Sequence, residues 1–365
     1  MTEQRVIFNS TTALYGISSE THVGFGENTT IVVHFSWCPM DWSWLVILQL
    51  ISAITGIVGN FLVIVVLLHR RSKNRATDTL IGGLAFADFL TSIFLIPIPT
   101  PVYIPKTWLG EVYCRLVFTQ SLLWASITVS AYLLMSISVE RYIAVVYPLH
   151  FKRLITRRRI STLIVIIWFL SILTQLFTFF AHTVDTFTNT CKDRYINRLT
   201  QIIVAFCWFC LILVVPSLTM LITQVLIARK LSDRSNQFRG MTNSPNGKQT
   251  PSFHIVARNR VLKMMLVVIL IYLVCWTPNQ IAYLGYNIGW VPESYLNSPV
   301  HSMLTFLGFY NSCANPIIYA ARYPEFREAL KEMLSCNSTK NTLLFGKRDV
   351  IEIGTVGRQT IDGQI

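Results

Sequence analysis

Asp88 is the sole acidic residue in the middle of any long apolar stretch of this 365-residue chain, standing at the end of Leu84-Ala85-Phe86-Ala87-Asp88. A carboxylate in such surroundings is costly unless it is neutralised or paired, so its position marks function. Glu140 and Arg141 form a second candidate pair at the end of a charge-free run, followed by Tyr142. An acid beside an arginine can hold its charge at rest and release it toward a partner; a snorkelling arginine that only anchors a helix end is the plainer alternative. Pro278, two residues after Trp276, removes one backbone hydrogen bond and makes a pivot, and Pro216 and Pro316 supply similar weak points. Asp88 has no acidic partner for acid and base work. Cys207, Cys210, Cys275 and Cys313 lack the companions of a zinc site, so they read as small packing residues. No intramembrane enzyme is therefore expected.

These residues must be positioned by membrane helices. Runs without Lys, Arg, Asp or Glu cover 44–68, 116–139, 160–181, 199–228, 264–292 and 294–321, and a seventh, 79–104, is broken only by Asp88. Each is long enough to cross about 30 Å of hydrocarbon as a helix, which takes roughly 20 residues. Lipid offers no partner to backbone N–H and C=O, and none of the runs alternates as a barrel strand would. The expected fold is an all-α membrane protein, a seven-helix bundle. A content of 52% hydrophobic and 13% charged residues agrees, and 365 residues leave no room for a soluble domain of ordinary size.

Basic residues set the orientation. Arg70, Arg71, Lys73 and Arg75 follow the first run, Lys152, Arg153, Arg157, Arg158 and Arg159 separate the third from the fourth, and Arg258, Arg260 and Lys263 lead into the sixth. With the N-terminus outside, 25 of the 31 Lys and Arg fall inside, as membrane insertion requires. The net charge of +13 is thus a topology signal with a contribution from anionic lipid, and nucleic acid is not an expected partner. No basic start with a short apolar stretch precedes Trp44, so the first span is expected to act as the targeting signal.

This topology divides the chain into an extracellular segment 1–43, a bundle 44–322 with a flexible third inner loop at about 231–257, a short amphipathic membrane-surface helix 323–336, and a cytoplasmic tail 337–365. Asn9 and Asn28 open glycosylation sequons on the outer segment. Cys114 and Cys191 both face the oxidising side, where a disulfide would pin the loop before span 5 over the bundle mouth, and Cys38 is left over. Cys336, closing the amphipathic helix of Phe326, Leu330, Met333 and Leu334, is either a palmitoylation site or a plain surface cysteine.

The landmarks occur in order along the spans: Gly59-Asn60, Asp88, Cys114, Glu140-Arg141-Tyr142, Trp168, Pro216, Cys275-Trp276-Thr277-Pro278 and Asn311-Ser312-Cys313-Ala314-Asn315-Pro316-Ile317-Ile318-Tyr319. Together they resemble the rhodopsin-like (class A) G-protein-coupled receptors over residues 44–336. The resemblance implies that Asp88, Ser130, Asn311 and Asn315, with Asn60, either hold an allosteric sodium ion or form a network around a protonated Asp88. It assigns Glu140, Arg141 and Tyr142 to a heterotrimeric G protein, and Trp276, Pro278, Asn315, Pro316 and Tyr319 to the activation switch. Receptor kinases and arrestin are further implied partners of the plasma-membrane receptor.

The ligand cavity implied by the resemblance is walled by Gln120, Leu123, Trp124 and Thr128, by Trp276, Asn279, Gln280 and Tyr283, and by His301, Thr305 and Phe309. Amine receptors of the family carry an aspartate where Leu123 stands, and visual-type opsins a lysine where Phe309 stands. The neutral amide and aromatic walls suit a peptide, and the Asn-Pro-Ile-Ile-Tyr region is similar to that of somatostatin-, opioid- and galanin-like receptors. A neuropeptide is expected, with a lipid or other small neutral ligand as the alternative. A secondary transporter is the alternative from another class; inverted repeats, its usual mark, are not found.

The chain departs from the family pattern at Gln224, where relatives carry a tyrosine, at Tyr272, where they carry phenylalanine, and at Arg258, where many carry an acid that bridges to the arginine corresponding to Arg141. Two cations cannot form that bridge, which implies weaker restraint at rest. Arg258→Glu is expected to lower ligand-independent nucleotide exchange on G proteins; unchanged basal exchange would count against this reading.

Overall fold

The computed structural model describes residues 36–69, 76–185, 187–241 and 253–322, together with 326, 327, 330 and 331. Seven helical spans dominate them: span 1 is α1 (Trp44–His69), span 2 is α2 (Ala76–Phe94), and span 3 runs over Trp108–Val146. Span 3 comprises α3 (Trp108–Val112), a π-turn (Tyr113–Phe118) and α4 (Ser121–Val146), and the short α5 (Pro148–Leu154) follows. Span 4 is α6 (Arg157–Ala181), and span 5 joins α7 (Arg198–Phe209), a second π-turn (Cys210–Val214) and α8 (Val215–Met241). Spans 6 and 7 are α9 (Phe253–Ile288) and α10 (Pro299–Arg322).

Among the described residues, six helices are apolar and long enough to cross a membrane. Span 7 has the length but not the same apolarity, because His301, Asn311, Ser312 and Asn315 replace aliphatic residues along it. Span 1 shows the inside-out pattern common to the others. Ser52, Ala53, Gly56 and Asn60 face inward, while Ile47, Ile51, Ile54, Val58 and Phe61 are exposed on the outer faces that hydrocarbon would cover.

Hydrocarbon outside and hydrocarbon inside are equivalent for a leucine, so the helices need close packing to associate. Small residues supply it. A Cβ on Gly56 would lie 2.1 Å from Ser92 Oγ, and one on Gly59 3.0 Å from Pro316. Span 3 is largely buried and forms the axis of the bundle, with spans 2, 4 and 5 against it, whereas span 4 is mostly exposed.

One end of the bundle is closed by two short antiparallel ribbons, β1 (Ser36–Trp37) with β2 (Pro101–Tyr103) and β3 (His182–Val184) with β4 (Cys191–Asp193). The Cys114–Cys191 disulfide ties β4 to span 3, as the sequence suggests, and Cys38 is free and exposed. Glu111 Oε1 accepts from Thr183 Oγ1 (2.9 Å) and Val184 N (3.3 Å), and its Oε2 meets Arg115 at 2.9 Å, so one carboxylate binds the ribbon down. In the turn between β3 and β4, Asp185 accepts from Phe187 N (3.2 Å) and Thr188 Oγ1 (3.0 Å). These bonds, the backbone one foremost, hold its carboxyl below the ordinary range.

Helical backbone extends past the charge-free runs, to Met241 in span 5 and from Phe253 in span 6. Helix thus covers both ends of the connection expected over 231–257, because a helix already nucleated in the membrane adds residues at little cost, and 242–252 lie outside the described residues. Beyond span 7, Phe326 is buried and Leu330 packs on the core, in keeping with an amphipathic helix. Asn9, Asn28 and Cys336 lie outside the described residues.

Candidate functional site

Asp88 is fully buried where spans 2, 3 and 7 meet, and its two oxygens have separate partners. Ser130 Oγ donates to Oδ1 at 2.7 Å and Asn315 Nδ2 to Oδ2 at 2.7 Å. In a low-dielectric interior such bonds are strong, and their loss would be correspondingly costly. Asn311 is buried on the same span as Asn315. Asn60 Nδ2 donates to Gly56 O (3.0 Å) and Ser312 O (3.1 Å), while its Oδ1 is buried without a hydrogen bond. Oxygens of this kind, one carboxylate with hydroxyl and amide neighbours, suit a hard monovalent cation.

The reason Asn60 reaches Ser312 O lies in Pro316. A helical proline cannot donate to the carbonyl four residues back, which for Pro316 is Ser312. The same device operates in span 5. Pro216 cannot donate to Ile212 O four residues back, and the Tyr272 hydroxyl of span 6 donates to it. Tyr272, a departure from phenylalanine in the sequence reading, thus has a defined partner, and its ring is fully buried.

At the opposite end from the disulfide, Glu140 is 2% exposed and sits between two donors. Thr77 Oγ1 donates to Oε1 at 2.7 Å, and Arg141 Nε lies 2.8 Å from Oε2, an ion pair held by proximity rather than by an aligned hydrogen bond. The Arg141 side chain is 26% exposed, so its guanidinium is within reach of a partner. Tyr142 packs edge-on against Tyr147, with ring centroids 6.0 Å apart. Thr77 was missed by sequence reasoning, since a threonine at the start of a span carries no signal of its own. The side chains of Arg258 and Tyr319 lie outside the described set.

Trp276, 2% exposed, sits in the middle of the bundle against Gly308, where a Cβ would stand 3.0 Å from its ring. Its ring centroid is 6.2 Å from that of Trp124, which is 6.1 Å from Trp208, and Trp208 is 6.2 Å from Phe177. Four spans are thereby joined through aromatic edges. Pro278 lies inside span 6 immediately beyond, as the pivot reading requires.

Toward the disulfide end, the expected wall residues divide. Asn279 Oδ1 accepts from Thr305 Oγ1 at 3.3 Å, and the His301 ring meets that of Tyr295 edge-on, centroids 5.1 Å apart. Gln280 is 1% exposed with Oε1 lacking a partner, as do Tyr295 OH and His301 Nδ1. Tyr283 is half-buried one turn from Asn279 and Gln280, and Gln201 reaches Asn287 at 3.1 Å across spans 5 and 6. Leu123 is buried to 1% and belongs to the core. Gln120 needs correction: it does not continue the helical face of Trp124. It has left-handed backbone (φ 51°), is exposed, and caps α4 after the π-turn, where Thr119 and Ser121 hydroxyls both reach Arg115 O.

Tyr272→Phe is expected to leave a buried carbonyl unpaired and to destabilise the detergent-solubilised protein by about 1–3 kcal/mol, read as a lowered thermal unfolding midpoint. An unchanged midpoint would show that the carbonyl has another partner.

A family profile described as "7 transmembrane receptor (rhodopsin family)" matches residues 59–319. Among curated proteins, the chain is 28% identical to "Trace amine-associated receptor 9" of Rattus norvegicus over 78% of this chain and 85% of that one. It is 26% identical to "Galanin receptor 2a" of Danio rerio (78% and 76% covered) and 25% identical to "QRFP-like peptide receptor" of Branchiostoma floridae (80% and 80%). The helical spans agree with that description, and the chain belongs to the rhodopsin family of seven-transmembrane receptors.

Proposed function

We propose that this receptor sits in the plasma membrane with its N-terminus outside, binds a neuropeptide at the disulfide end, and activates heterotrimeric G proteins at the Arg141 end. The observation that carries the reading is the arrangement at Glu140: a buried carboxylate shared by Thr77 of span 2 and Arg141, whose side chain is part-exposed. Span movement that breaks the Thr77 contact would weaken the hold on Arg141 and free it for a partner. Rotation about Pro278, sensed through Trp276 and its aromatic neighbours, is the motion that ligand at the other end would bias.

A peptide ligand is supported by Asn279, Gln280, His301 and Thr305, which offer neutral donors and acceptors to backbone amides. Two of the relatives are peptide receptors by name. The trace amine relative does not shift this reading, because an ammonium group calls for a carboxylate and Leu123 is apolar and buried. Sodium at Asp88 is favoured by the oxygen-rich surroundings and by the unpartnered Asn60 Oδ1. The Ser and Thr of 337–365 would serve receptor kinases and arrestin.

Exchange of guanine nucleotide on purified G proteins, with a neuropeptide library as stimulus, tests the proposal. At least one peptide should accelerate exchange in the wild type, while Arg141→Ala, at equal surface expression, should abolish it. Response only to small neutral molecules would overturn the peptide assignment, and retained exchange would overturn the role of Arg141. Sodium chloride, compared with equal choline chloride, should raise the thermal midpoint of the wild type and leave Asp88→Asn unmoved. An equal rise in both would place the sodium effect elsewhere.

A further inference from the structure

We infer that Gln224 is a positioning residue that biases the inner end toward opening: its carboxamide is sealed without partners while Glu140 holds Arg141, and is hydrated once the spans part. This rests on the coupling role proposed for Arg141. Gln224 is 4% exposed, and its Oε1 and Nε2 both lie beyond the reach of water with no hydrogen-bond partner. Ser138 of span 3 is fully buried, and its Oγ is bare as well.

Both groups lie toward the Arg141 end. Ser138 stands three residues before Arg141 on α4, and α8, which carries Gln224, packs along α4. Gln224 is about 39 Å along span 5 from Arg198 at a rise of 1.5 Å per residue, and five residues short of Arg229. Neighbouring hydroxyls are served: Thr223 Oγ1 donates to Thr219 O and Met220 O at 2.9 Å, and Thr77 Oγ1 to Glu140 at 2.7 Å. Ser217 Oγ is bare too, but it stands seven residues nearer the disulfide end, beyond the depth that opening at Arg141 would wet.

The energetics give the bias its sign. A carboxamide carries two donors and an acceptor oxygen, and sealing it without partners forfeits the hydrogen bonds that water gives it. That penalty falls on the arrangement in which Arg141 Nε lies 2.8 Å from Glu140 Oε2. Separation of the inner ends admits water and removes the penalty, so the closed form is the strained one. A residue that braced the open form by a new contact would leave the closed form untouched. Deleting the polarity of Gln224 should instead make the closed form firmer, because replacing a bare buried group by an apolar one of similar shape removes its desolvation cost.

Two quantities would be measured on the full-length receptor in detergent: the thermal midpoint without G protein, and ligand-independent nucleotide exchange on purified G proteins. Gln224→Met, which keeps the length and removes the amide, should raise the midpoint and lower basal exchange about tenfold, the cost of one bare buried group. Gln224→Leu serves if the methionine variant fails to fold. Ser138→Ala should move both quantities the same way by less. Thr223→Val, removing a neighbouring hydroxyl that is already bonded, should not raise the midpoint, and Ser217→Ala should raise it with exchange unchanged. A midpoint that falls or stays level in the Gln224 variants would overturn the inference, as would a raised midpoint with unaltered exchange. Absence of exchange in the wild type would strike the coupling role itself, whereas a midpoint that does not rise strikes this inference alone.

Discussion

Every backbone carbonyl inside a bilayer must find a donor within the protein, and the three prolines inside the spans break that rule locally. Pro316 deprives Ser312 of its helical donor and Pro216 deprives Ile212. In both places a side chain from another span fills the gap, Asn60 for the first and Tyr272 for the second. Pro316 and Pro216 therefore each convert a bond within one helix into a bond between two. Spans 1 and 7, and spans 5 and 6, are joined at the very points where their helices are weakest. Such joints are specific in angle but few in number, which suits helices that must shift against one another without coming apart.

The remaining polar groups follow the same economy. Asp88 would be untenable alone, yet Ser130 and Asn315 each donate to one of its oxygens, linking spans 2, 3 and 7. At the far end Glu140 joins span 2 to span 3 through Thr77 while holding Arg141 beside it. Between these layers the tryptophan series from Trp276 to Trp208 is apolar and closely packed, so movement at one polar layer is transmitted by contact rather than through solvent. The receptor is thus a stack of polar joints separated by rigid aromatic packing. Its outward faces, by contrast, are largely apolar among the described residues.

Much of this was legible from residue order. Asp88, Arg141 and Pro278 stand out because each is costly or disruptive in hydrocarbon, and a costly residue needs a local reason, whereas Trp276 was marked only by the family resemblance. Thr77 did not stand out, since its hydroxyl would be equally content bonded to its own helix. Gln120 misled, because helical spacing assumes an unbroken helix and the π-turn before it does not keep the register. That Gln224 is left bare was invisible for a related reason. Its amide has partners within reach or none only once neighbouring helices are set at a particular distance.

The amino-acid order alone determined the helical spans and the positions of the buried charge, and it carries the expectation of their direction through the membrane. The bilayer enforces these locally, through the need to satisfy each helix's own backbone and to retain its basic ends. Tertiary structure alone decided which side chain serves each freed carbonyl, how Glu140 divides its oxygens, and which buried amide is left bare. Those outcomes depend on the rotation and relative height of helices far apart in the chain, and periodicity within one helix carries no information about its neighbour's height.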